Sequence, residues 1–444
     1  MSRKNRQEQQ KQETSTKFHT LVIHMKPDLE NTLVVFLLTT FLTLARRLGI
    51  SDGPAIKFIP AGPLRPEDWP GQSDLSVEAL ERQGYMFIDC GGGQHDHHRR
   101  WPDKTDNDQS SLDLVLKLTG ADLALRHLMP VFKLVSDNDL TGQQIVQDKG
   151  RDQSATPHTA RHLRNVILGW NKIHADDPQA VVDLAGLAYG GLVALAEAEF
   201  RSAEADHGQL FLADNLCRGV ALYCGQLVED GEMDSAEAEE ISADFRQSVE
   251  SALGVLEYDW TQGENDYWSP KTTVLKLQRL IPTRGGTVKK PCCLVVGVSD
   301  SLRYSAVTRL GNRGQNAAYP DRERRPKADI TIQFQSDGRF VISSRHITLE
   351  RIAAAIRRVD LERKGVDISL IDQEALRQVG HLAFQNRAGE TVQALLLAYD
   401  KAFGNGFRAN PFGLECALKP EEIVNLTVQT LTDPPPDLSR RFPL

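Results

Sequence analysis

The sequence predicts an α/β protein, with a parallel-sheet domain carrying a helical extension followed by a smaller α+β domain. Three observations carry this. Near the amino terminus, short apolar runs alternate with helical patterns at the spacing of βαβ units. From Ser111 to about Tyr258 long helical patterns dominate, and beyond a polar stretch at 261–270 strands return. A chain of 444 residues also exceeds what one core normally serves, so roughly two to three domains are expected. The expected division is a disordered tail at 1–17, a first domain at 18–260 and a second at 271–432.

The elements follow in order. The tail MSRKNRQEQQKQETSTK has little to bury. FHTLVIH (18–24) is a short apolar run ending in polar residues, which reads as a strand, and LENTLVVFLLTTFLTLARRLG (29–49) has helical length and a glycine stop. Its apolar part, Leu33 to Leu48, is interrupted by threonines and by Arg46-Arg47. It falls short of the roughly 20 residues that span a bilayer, so a buried helix is expected. AIKFIPAG (55–62) and YMFIDCG (85–91) repeat the strand signal around a segment, 66–83, with a helical half. After the helical middle, KKPCCLVVGVSDS (289–301), KADITIQFQ (327–335) and GRFVISSRH (338–346) read as strands, the last two joined by Ser336-Asp337-Gly338 as a hairpin. TLERIAAAIRRVDLERK (348–364) reads as an amphipathic helix, and the chain ends in a proline-rich tail. There is no internal repeat.

Hydrophobic residues make up 40% and charged ones 25%, within the globular range, and the net charge is -8. Nothing in this balance demands a nucleic-acid or membrane partner. An acidic excess does not exclude an anionic substrate, because a divalent cation and a few arginines can invert the local potential. The six cysteines, Cys90, Cys217, Cys224, Cys292, Cys293 and Cys416, form no CxxC pair and are expected as reduced core residues. With no secretory apolar region after the polar start, a cytoplasmic protein is expected.

Three loops concentrate the chemistry. His24-Met-Lys-Pro27-Asp28-Leu-Glu30 lies where the first strand hands over to the first helix, and open α/β sheets bind ligands at the carboxyl ends of strands. A histidine and two carboxylates within seven residues can converge on one point; equally, Asp28 can serve as the cap of the helix starting at Leu29. Asp89 leaves the end of another apolar strand and is followed by glycines 91–93, which either let backbone approach a ligand or make a simple turn. Gln94-His95-Asp96-His97-His98-Arg99-Arg100 gathers three histidines of the chain's 12 beside a carboxylate and two arginines. Mixed His/carboxylate sets suit Mn, Fe, Zn or Co; the alternative is an exposed polar loop. Together the loops offer enough donors for two metals, with Asp89 as the natural bridge.

Asp96-His97-His98, preceded by an apolar strand ending in Asp89 and by a His-x-x-Pro-Asp-x-acid loop at 24–30, resembles the DHH phosphoesterase superfamily, closest to its metal-dependent exonuclease-like branch. The motifs cover about residues 19–140. A further motif aspartate is expected in PVFKLVSDNDLTG (130–142), with Asp137 preferred over Asp139. The resemblance implies that His24, Asp28 and Asp89 hold one metal, and Glu30, Asp89, His97 and Asp137 the other. His98 and Arg99 would face the phosphate, and Asp96 would orient a neighbouring histidine. The family usually has Asp where this chain has Glu30.

The expected activity is hydrolysis of a phosphodiester or phosphoanhydride with two Mn2+ ions, on a nucleic acid, oligonucleotide or nucleotide. The alternative is a catalytically weak or inactive protein of the same fold that binds a metal or nucleotide. The resemblance further implies a second domain that closes over the metal cleft and brings basic residues to the substrate. Arg303, Arg309, Arg313 and the run 321–325 are candidate phosphate partners, with a solvated charged face the preferred reading of 321–325. Gly380-His381 is the nearest remnant of that domain's usual glycine-histidine signature. No GxSxG elbow is present.

Overall fold

A computed structural model of the chain describes residues 18–91, 109–141, 161–200, 205–310 and 326–432, apart from short gaps at 61–63, 65, 73–75, 121–124, 284–285, 345–346, 379–381, 396, 401–405 and 411–414. The chain divides into two compact units, Met1–Glu257 and Tyr258–Leu444.

The first unit is α/β. Its strands β1 (Phe18–His24), β2 (Ile50–Ile59) and β3 (Tyr85–Phe87) form a parallel sheet in the order β2-β1-β3. Leu21, Val22 and Ile23 of β1 are all fully buried, so both faces of the central strand are covered, as a parallel sheet requires. The predicted helix over 29–49 is two helices, α1 (Leu29–Thr40) and α2 (Leu42–Arg47), meeting at Phe41, whose ψ of 76° is not helical. Helix α3 (Val77–Arg82) precedes β3.

The helical extension comprises α4 (Ser111–Thr119), α5 (Met129–Thr141), α6 (Leu163–Ile173), α7 (Pro178–Glu199), α8 (Ala213–Glu229) and most of the 34-residue α9 (Ser235–Trp268). Helix α1 is buried from Leu29 to Leu38, polar positions included, because sheet and helices enclose it. Each buried Leu or Val there contributes roughly 1.5–3 kcal/mol. Tyr189 of α7 donates its hydroxyl to the Leu29 carbonyl at 2.6 Å. Helices α7 and α8 cross at Gly191 and Gly219, where a Cβ on either would strike the other's backbone. Helix α7 has the length and apolar content to cross a membrane, yet Val181, Ala185, Ala188, Leu192 and Leu195 pack in this core.

The polar run 261–270, read from sequence as a connector, is helical as far as Trp268. Its polar residues support the helix at i,i+4 spacing: Trp260 donates to Glu264 and Gln262 to Asp266, each at 2.9 Å. The division between units falls inside this helix, at 257/258.

The second unit has a six-stranded sheet, order β10-β11-β7-β6-β5-β4, from β4 (Thr273–Thr283), β5 (Gly286–Val298), β6 (Ile330–Phe334), β7 (Phe340–Ser344), β10 (Leu397–Asp400) and β11 (Gly406–Ala409). Only β5 and β6 pair in parallel in that sheet. Helix α10 (Tyr304–Leu310) lies between them in sequence. The predicted hairpin joins β6 to β7, with Gly338 at φ 85°. Helices α11 (Glu350–Arg363) and α12 (Pro420–Thr432) share a core with Leu294, Ile332 and Ile342, while Tyr267, Val295 and Tyr304 pack together in a separate cluster. A small hairpin, β8 (Ala383–Gln385) with β9 (Thr391–Gln393), completes the unit.

Candidate functional site

The His24–Glu30 loop emerges at the carboxyl end of the central strand. Pro27 is buried, and its carbonyl accepts from the Asn171 side chain of α6 at 2.8 Å, which ties the loop down. Asp28 is extended (φ -95°, ψ -169°), and its Oδ1 accepts from the Asn31 backbone N–H at 2.9 Å. Thr32 adds a bond from its hydroxyl to the Asp28 carbonyl at 2.7 Å. Of the two roles open to Asp28, helix cap is the one this geometry displays.

Asp89 leaves β3 beside this loop. Its φ of 53° is in the left-handed region, one of two such non-glycine residues among those described, and it is 2% exposed. Three hydrogen bonds from separate elements hold it. His24 Nε2 meets the Asp89 carbonyl at 2.5 Å, Asn31 Nδ2 donates to Oδ2 at 3.0 Å, and the Ser111 hydroxyl lies 3.4 Å from Oδ1. Backbone strain of this kind persists where its surroundings over-determine it, and it concentrates at functional sites. The following Gly91 has φ 72°, and a Cβ there would press on the Phe87 ring at 2.7 Å.

The amino terminus of α4 closes the group. Ser110 and Asp113 form a capping box, and Ser136 of α5 donates to Asp113 at 2.6 Å. Glu30, 1% exposed, reaches across from α1 so that its Oε1 accepts from the Leu112 backbone N–H at 2.7 Å. The first turns of α1 and α4 therefore both supply donors to Asp89, and helix amino termini favour negative charge. Asn31 Oδ1 is buried with no hydrogen-bond partner among the described residues.

The loops at 24–30 and 89 are thus brought together as expected. The third candidate segment, with Asp96, His97, His98 and Arg99, lies outside the described residues, as do Arg313, 321–325 and Gly380-His381. Asp137 is partly exposed on α5 and accepts from Lys133 one turn earlier at 3.2 Å; Asp139 lies two residues further on. Among the described residues no group of three or more His, Cys, Asp or Glu is close enough to hold a metal ion. These residues do not by themselves make a complete metal centre.

Sequence reasoning missed Asn31 and Ser111, the two side chains that hold the Asp89 carboxylate. For Ser111 there was a signal, since Ser110-Ser-Leu-Asp113 ahead of an apolar run is a capping-box pattern. For Asn31 the signal was a polar residue inside an otherwise apolar helical face. Nearby, burial pushes the Tyr189 phenol well above its ordinary value, keeping it a neutral donor to α1. In the second unit, Arg309 is turned onto its own helix, donating to the Ser305 carbonyl at 2.9 Å. Compared with known proteins, the chain matches no family model, no curated protein and no solved structure.

Proposed function

We propose that the chain is a metal-dependent phosphoesterase with a DHH-type first unit, hydrolysing a phosphodiester or phosphoanhydride. The observation that carries the reading is Asp89: a buried carboxylate in a left-handed conformation at a strand end, held by His24, Asn31 and Ser111 from three different elements. The convergence of two helix amino termini on this point supports a site for anionic substrate. Divalent metal, two Mn2+ in this reading, would supply an activated water and neutralise phosphate charge. The protein's own residues would orient the Asp89 carboxylate and keep its surroundings closed to bulk water. The six cysteines are all free thiols, which supports a reducing, cytoplasmic setting.

A second reading, a fold of this type without turnover, is favoured by one observation. Asp28 and Glu30 are both engaged as acceptors of helical backbone N–H groups. One experiment separates the two. Manganese-loaded protein is assayed for metal content and for hydrolysis of nucleic acid, dinucleotide and pyrophosphate, alongside Asp89→Asn, which tolerates the positive φ. The enzyme reading expects about two equivalents of metal and turnover of one class, both lost in Asp89→Asn. About one equivalent of metal, or bound nucleotide, with no turnover supports the second reading, and full metal content in Asp89→Asn removes Asp89 from the centre.

A further inference from the structure

The second unit carries a charged feature that the proposed chemistry does not use. Residues 267–299 contain six basic side chains, Lys271, Lys276, Arg279, Arg284, Lys289 and Lys290, and no acidic one, in a chain whose net charge is -8. Most of this stretch is the β4–β5 hairpin. Strand β6 pairs with β5 only from Leu294 to Val298, whereas β4 and β5 continue together from Lys276↔Cys293 to Thr283↔Gly286. Among the described residues the outer part, past Leu277 and Cys292, has no third strand beside it, and residues 286–291 are all exposed. From Arg279 to Thr283 it extends about 14 Å at ~3.4 Å per residue.

The register sets where the charges lie. On one face the pairs run Leu275/Leu294 and Leu277/Cys292 against the core, and then Arg279/Lys290. On the other face Lys276 is opposite Cys293 and Lys289 opposite Leu280. Both faces of the ribbon are therefore basic, and Arg279 stands directly across from Lys290. Like charges directly opposed destabilise a strand pair unless something anionic intervenes. Among the described residues none of Lys276, Arg279, Lys289 and Lys290 has an acidic partner, whereas several exposed basic residues elsewhere do, as Arg46 has Asp52 and Arg363 has Glu422.

We infer that this ribbon is a binding element for double-stranded DNA, lying in the groove with phosphates on both sides. The major groove of B-form DNA admits a two-stranded ribbon, and one entering it edge-on would turn its two basic faces to the phosphates on either side. Duplex RNA has too deep and narrow a major groove for this. Single strands are bound through stacking on aromatic rings, and residues 271–298 contain no Phe, Tyr, Trp or His. The same lack of Trp and Tyr argues against a membrane interface. The inference stands on the second unit's surface and does not depend on turnover in the first.

The test is fluorescence anisotropy with full-length protein and a labelled duplex of roughly 20 base pairs, in chelator, across a salt series. Four ribbon contacts predict a slope of log K against log salt of about -3.5. The triple variant Arg279→Gln, Lys289→Gln, Lys290→Gln should flatten it to about -1 and weaken binding on the order of a hundredfold at ~0.15 M salt. The charge-keeping variant Arg279→Lys, Lys289→Arg, Lys290→Arg should bind as the parent does. If the triple variant does not fold, Lys289→Gln alone should reduce the slope by about one. An unchanged slope in the neutral variants overturns the proposal, and so does tighter binding of the matching single strand or duplex RNA. Binding to phosphatidylserine vesicles in place of duplex DNA overturns it as well.

Discussion

Glu30 is one methylene longer than an aspartate, and in this chain the extra length carries its Oε1 to the Leu112 backbone N–H. A buried amide that loses its acceptor costs about 1–3 kcal/mol. Glu30→Asp should therefore lower stability by roughly 1–2 kcal/mol, because the shorter chain leaves that amide unmet. Glu30→Gln keeps an acceptor oxygen and should cost less than about 1 kcal/mol. Urea unfolding of the two variants checks the order, and equal stability would show that the Leu112 amide does not depend on Glu30. Arg357 poses a similar question in the second unit. It is fully buried and donates to the carbonyls of Leu395, Leu376 and Gln378 at 2.6, 2.9 and 2.7 Å. Burial pulls its pKa down to about 10, so it is still charged at neutral pH. Arg357→Leu removes donors from three carbonyls at once and should cost about 3–5 kcal/mol, measured by thermal unfolding.

At the scale of elements, close approach and open space separate two glycines that look alike in the sequence. Gly191→Ala on α7 would drive a methyl into the backbone of Val220 and should cost about 1–3 kcal/mol. Gly225→Ala on the exposed side of α8 meets nothing within 4 Å and should add roughly 0.5–1 kcal/mol through helix propensity. A drop in melting temperature for both would contradict this crossing of α7 and α8. In the second unit, the Arg363 guanidinium of α11, together with the Lys419 backbone N–H, pulls the Glu422 carboxyl of α12 down to about 2. A depressed carboxyl stabilises above its ordinary titration range, and that contribution is lost as pH falls from there to about 2. The stability gap between parent and Glu422→Gln should close over that window, and a constant gap would dismiss the pair. Strand β1, α1 as far as Thr40, and the β6–β7 hairpin were legible because their apolar periods and turn residues agree with their burial. Strand β4 was not, since TVLKLQRLIPT alternates apolar with basic residues and leaves the sheet's core partway along. The Asp89 locus was legible by its carboxylate at a strand end, whereas the capping-box pattern beside Ser111 and the polar Asn31 mark helix positions without showing that both side chains reach Asp89.

For the molecule as a whole, the chain passes from one unit to the other within a helix rather than at a loop. A protease needs extended backbone, so limited proteolysis should spare 235–268. A first cut within 261–268 would show that the helix is broken in solution. The bond from Tyr189 to the Leu29 carbonyl joins residues 160 positions apart, and that from Leu112 to Glu30 spans 82. These separations set a timetable for synthesis. At roughly 5–20 residues per second, the stretch carrying Tyr189 follows Leu29 from the ribosome by about 8–30 s. Over that interval Glu30, Asn31 and Thr32 of α1 await the residues that cover them in the folded chain. The cover of α1 thus depends on residues made long after it, and contacts so distant in sequence are slow to form.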